Sequence, residues 1–135
     1  MKQEDKELLL KDLSARLPYG VKVNDDIQGD FTLIGLTKER VFTTCEVEGC
    51  HNDFPIENIK PYLFPLSSMT EEQKKEYHEL IGGMFGTSAL INFEVLEDFF
   101  HKNHFDYRGL IPMGLAIDAT NKNIDDYETL NKQKC

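Results

Sequence analysis

Apolar residues along this chain follow two periodicities. Over residues 4–17, Leu9, Leu10, Leu13 and Leu17 share a narrow stripe at helical spacing, with Lys6, Asp12 and Arg16 flanking or opposing it. That pattern predicts a helix packed on the core. Pro18 cannot continue it, and Gly20 supplies the turn. From Val21 to Val47 the spacing becomes strand-like. Val21 and Val23 alternate with Lys22 and Asn24, residues 31–36 form an apolar run, and Val41, Thr43, Cys45 and Val47 share one face. The stretch over residues 24–30 is turn-rich, and residues 37–40 suit a hairpin loop. Residues 53–56 add a short strand, confined to an edge by Pro55.

The periodicity changes at IKPYLFPLSSMTEEQKKEYHEL, residues 59–80. Pro61 and Pro65 push Lys60 and Phe64 away from helical angles, so the first part reads as a rigid connector. Tyr62, Leu63, Phe64 and Leu66 are too apolar for a solvated linker and are expected between sheet and helices. Thr70 and Gln73 have capping-box spacing, with Glu71 and Glu72 in the first helical turn. Gly82-Gly83 is a natural stop for that helix. Asn92 suits the cap of a third helix over 93–103, with Phe93, Val95, Leu96, Phe99 and Phe100 on one side and Glu94, Glu97, Asp98 and His101 on the other. Residues 107–117 are apolar but broken by Gly109, Pro112 and Gly114, which suits turns; residues 121–135 form a polar tail. The fold class read from this order is α+β. It has an N-terminal helix, then a small curved antiparallel sheet (an SH3-like barrel being one closure of it), then a layer of two to three helices.

Length and charge narrow the picture. A chain of 135 residues fits one domain and can bury a core without metals or disulfides. Three cysteines cannot form a complete set of disulfides within one chain. The net charge of −9 argues against non-specific nucleic-acid binding and against docking on anionic membranes. The N-terminal sequence lacks an apolar run and a cleavage signature, and no run of about 18 apolar residues occurs, so the expectation is a cytoplasmic protein.

Candidate chemistry is sparse. Glu94, Glu97, Asp98 and His101 have the helical spacing of a metal site, but they oppose the apolar face and should point to water. Cys45, Cys50 and His51 lack the second ligand pair of structural zinc. Gly82–Gly86 lacks the lysine and hydroxyl of a phosphate loop. Tyr107 and Arg108 are the types that anchor interfaces, with a packed tyrosine and a salt-bridged arginine as the plainer reading. No cofactor is implied.

Three blocks together, KDLSARLPYG (11–20), residues 59–80 and NHFDYRGLIPMGLAIDA (103–119), resemble small uncharacterised proteins of gut Bacteroidales genomes and their phages or prophages. The resemblance implies a cytoplasmic accessory protein, phage- or mobile-element-associated, and carries no site residues. The expected function is therefore a non-catalytic interaction protein acting on a protein partner or as a homo-oligomer. A small metal-assisted hydrolase using the acidic helix face is the alternative. An acidic mimic of nucleic acid ranks last, because its carboxylates would form one stripe and here they are spread along the chain.

Overall fold

The computed structural model describes residues 1–45, 49–86 and 93–120. Helix α1 (Gln3–Arg16) is followed by a short turn of 3₁₀ helix that Gly20 closes in a left-handed conformation, φ +67°. Four strands then meander antiparallel: β1 (Lys22–Asp25), β2 (Gly29–Leu36), β3 (Arg40–Thr44) and β4 (His51–Pro55). The β1–β2 turn is held by Asp25, whose Oδ1 accepts the backbone N–H groups of Ile27 (2.9 Å) and Gln28 (3.0 Å). A register shift between Leu33 and Gly35 marks a bulge, which bends the β2–β3 ribbon.

The α+β class is the one expected. Among the described residues the sheet is not a closed barrel: six strands run in the order β4-β3-β2-β1-β5-β6, with β4 and β6 at its edges. It is mixed, because β6 (Ile117–Asp118) lies parallel to β5 (Ile59–Leu63). Pro55 sits on the edge strand, as its missing N–H requires.

The connector is the main difference. Residues 59–63 form an inner strand between β1 and β6, although Pro61 lies within it. The Leu63 carbonyl accepts the Ala119 N–H on the β6 side. Along a strand the hydrogen-bonding direction alternates, so Pro61, two residues back, also faces away from β1. β6 pairs only with Tyr62 and Leu63, so no ladder bond is lost at the proline. Leu66, expected inside, is 42% exposed.

Thr70 and Gln73 form the predicted reciprocal cap of α2 (Glu71–Gly86): the Gln73 N–H donates to Thr70 Oγ1 (3.1 Å) and the Thr70 N–H to Gln73 Oε1 (2.8 Å). The helix continues through Gly82 and Gly83 rather than stopping there; glycine weakens a helix without forbidding it. In α3 (Phe93–Lys102), Leu96, Phe99 and Phe100 face inward, but Val95 is 41% exposed. Val47, the Asn92 cap and the tail over 121–135 lie outside the described residues.

Two apolar clusters result among the described residues. One lies between α1 and the sheet and includes Leu9, Leu13, Val23, Leu33, Val41 and Leu63. The other is aromatic, built on Phe99, Phe100 and Phe105, with Phe64 and Tyr77 against it. Leu63 and Phe64, adjacent in sequence, thus belong to different clusters. No described helix is long and apolar enough to cross a membrane.

Candidate functional site

The C-terminal half of α1 places two charged residues in the interior. Asp12 and Arg16 are both fully buried and pair at i, i+4, Arg16 Nε donating to Asp12 Oδ2 at 2.8 Å. Arg16 Nη1 donates to the Phe100 carbonyl (3.4 Å) and Nη2 to the Phe105 carbonyl (2.5 Å). Every guanidinium nitrogen of Arg16 therefore has an acceptor. Phe100 lies near the C-terminus of α3, where the helix dipole favours a cation. The second oxygen of Asp12, Oδ1, accepts Arg108 Nε at 3.1 Å.

The loop after α3 presents Arg108. The helix ends with His104 left-handed (φ +58°), the His104 N–H donating to the His101 carbonyl and the Phe105 N–H to the Phe100 carbonyl. This is a Schellman ending with histidine where glycine is usual. The loop is then stitched to the sheet: the Phe64 N–H donates to the His104 carbonyl and the Asp106 N–H to the Phe64 carbonyl, both at 2.8 Å. Buried Asp106 closes the next turn by accepting the N–H groups of Leu110 (2.8 Å) and Ile111 (2.9 Å).

Tyr107 sits within this frame. Its ring stacks on Phe100, with centroids 5.0 Å apart, and its hydroxyl lies 2.7 Å from His101 Nε2. The Arg108 guanidinium lies over the ring at 4.8 Å and that of Arg16 at 5.8 Å. Burial, reinforced by Arg16, lowers the pKa of His101. Burial raises that of Tyr107. Both shifts lead away from neutrality, the opposite of what a general acid–base pair working near pH 7 requires. His104 is pushed down to about 3, chiefly by burial and secondarily by Arg16.

Of the residues singled out in the sequence, Tyr107 and Arg108 are brought together in this cluster. Both are partly buried, and Arg108 keeps 16% of its side-chain surface in solvent. The acidic helix face is not assembled as a site. Glu94, Glu97 and Asp98 are exposed, whereas His101, expected beside them, is buried against Tyr107. The loop carrying Tyr107 covers that side of α3 only at the helix's C-terminal end, over His101. Among the described residues, no group of three or more His, Cys, Asp or Glu could hold a metal ion. Cys45 is half-buried, Cys50 and His51 are exposed, and the His51 ring packs edge-on against Phe42 at 5.4 Å.

Asp12 and Arg16 are the residues that the sequence reading misplaced. Their signal was present. At about 100° per residue, Arg16 falls about 20° from Leu9 on the helical wheel, and Asp12 about 60° from it. Both therefore share the apolar side. Charge type argued for solvent, and the i, i+4 spacing of opposite charges was the counter-indication.

Compared with protein-family models, with the curated proteins and with the solved structures, the chain gives no match.

Proposed function

We propose that the chain is a non-catalytic interaction protein that engages a protein partner, or a second copy of itself, through Tyr107 and Arg108. The observation that carries this reading is their pre-organisation. Phe100, His101 and Asp12 hold the two side chains in place, and Arg108 still reaches solvent. Tyrosine and arginine are the side chains that most often dominate binding energy, and ones already immobilised lose little entropy on association. The displaced pKa values of His101 and Tyr107 further support a positioning role over proton transfer. A cytoplasmic accessory role linked to phages or mobile elements is part of this proposal, supported by the three resembling blocks.

Light scattering on the purified chain, paired with affinity capture using the wild type, Tyr107→Ala and Arg108→Ala, tests the reading. A dimer or a specific complex is expected in the wild type. Each truncation should weaken it by about 2 kcal/mol or more. A strict monomer that captures nothing specific counts against the proposal, as does a complex indifferent to both changes.

A further inference from the structure

We infer that Arg108 is an anchor for an oxyanion, a carboxylate or a phosphate, gripped by its two terminal nitrogens beside the Tyr107 ring. The inference deepens the proposed function and rests on that reading of Tyr107 and Arg108 as the contact surface.

The argument is one of charge and donor balance. Asp12 is one carboxylate serving two guanidinium groups, Oδ2 to Arg16 and Oδ1 to Arg108. Within this triad the two guanidinium groups share a single carboxylate. The two arginines are not equally provided for. Arg16 places Nε on Asp12 and both terminal nitrogens on backbone carbonyls. Arg108 has Nε on Asp12 alone; among the described residues its terminal nitrogens meet no acceptor. A guanidinium carries five donors in a planar fork, so most of those of Arg108 remain unused. Its side chain keeps 16% of its surface in solvent, and neither terminal nitrogen is a fully buried unpartnered atom, so a ligand can reach both. A mostly buried guanidinium that shares its carboxylate with a second arginine is under-compensated, and an arriving oxyanion adds the missing acceptors.

The geometry is set before the ligand arrives. Nε is pinned to Asp12, the guanidinium lies 4.8 Å over the Tyr107 ring, and Asp106 closes the loop behind it. Carboxylate and phosphate both present paired oxygens that match a guanidinium fork. The net charge of −9 repels anions at long range, but salt screens exposed charges beyond about 8 Å at physiological ionic strength. Recognition is therefore local to the fork.

The test uses the full chain titrated with sodium phosphate and, separately, sodium acetate, against sodium chloride at matched ionic strength. The Arg108 side-chain N–H resonances and the melting temperature are followed together. A saturable displacement of the Arg108 signals, with a rise in Tm that chloride does not reproduce, is expected with at least one of the two oxyanions. Arg108→Gln should weaken that binding by about tenfold or more, and Arg108→Lys, which keeps the charge but loses the fork, should also weaken it. A response to phosphate alone assigns the ligand as a phosphorylated group; a response to acetate as well admits acidic side chains or a terminal carboxylate. Absence of a saturable response to both anions overturns the inference, as does an equal response in Arg108→Gln. Should that variant fail to fold, the wild-type Arg108 resonances decide alone. Partner capture that survives without anion binding removes this inference and leaves the interaction reading standing. Anion binding by a chain that captures nothing does the reverse.

Discussion

Asp12 shows how much one side chain can hold together. It is fully buried, and it is the carboxylate that Arg16 and Arg108 share. Removing its charge strands a fully buried guanidinium. Asp12→Asn is expected to cost about 3–5 kcal/mol in urea unfolding. The double change Asp12→Leu with Arg16→Met removes both buried charges and should recover part of that loss. Recovery stays partial because the Phe100 and Phe105 carbonyls lose their donor. His104 sets a pH dependence. Its folded pKa is about 3, against an ordinary value of 6.5, so between those values the unfolded chain binds more protons. Stability is therefore full above about pH 6.5 and falls progressively as the pH drops toward 3, by a few kcal/mol in all. His101, also lowered, adds in the same direction. Denaturation midpoints across that range check this. His104→Asn, which tolerates the left-handed backbone, should flatten the profile.

Among the elements, β5 and the start of α2 bear the most consequence. The Thr70–Gln73 cap satisfies two otherwise orphaned N–H groups, so Thr70→Ala should cost about 1 kcal/mol. The end of β5 and the residue after it, Leu63 and Phe64, fix the sheet to the loop after α3. Leu63 is fully buried in the sheet cluster, so Leu63→Ala should cost about 2–5 kcal/mol, read from the shift of the thermal or urea transition. Phe64 is half-buried in the aromatic cluster, and truncating it should cost less. Arg108→Ala, lying outside both clusters and leaving the Asp12–Arg16 pair intact, should be the mildest of the buried-network changes.

The two apolar clusters are joined at several independent points over the molecule. Leu63 and Phe64 link them along the chain, Arg16 reaches from α1 to the carbonyls of Phe100 and Phe105, and the Phe64 backbone pairs with the loop after α3. One cooperative calorimetric transition is therefore expected for the whole chain. Two separated transitions would show that the sheet and the helical layer unfold as independent units. The surface ties are weaker. Lys6 bridges Glu39 and Glu57 from α1 to the sheet region, but its partners are largely exposed, and such pairs add little.

Periodicity alone specified most of the elements: the leucine stripe of α1, the β1–β4 meander with Pro55 on its edge, the Thr70–Gln73 cap and the aromatic face of α3. Each is a local property, decided by the backbone period, a turn or a cap within a few residues. The sheet's order and the cluster around Arg16 depend on contacts between distant segments. Pro61 argued for a connector because its environment in the ladder was invisible; only the pairing of β5 with β1 and β6 shows that its missing N–H points where no bond is due. Asp12 and Arg16 carried a helical-wheel position on the apolar side, yet charge alone predicts solvent. What makes their burial tolerable is their mutual pair and the carbonyls of Phe100 and Phe105, which lie 84 and 89 residues from Arg16 in sequence. His101, expected on the solvent-facing side of its helix, is buried by another segment. The tertiary structure decided those positions because the acceptors and the covering loop that stabilise them exist only once the chain has folded.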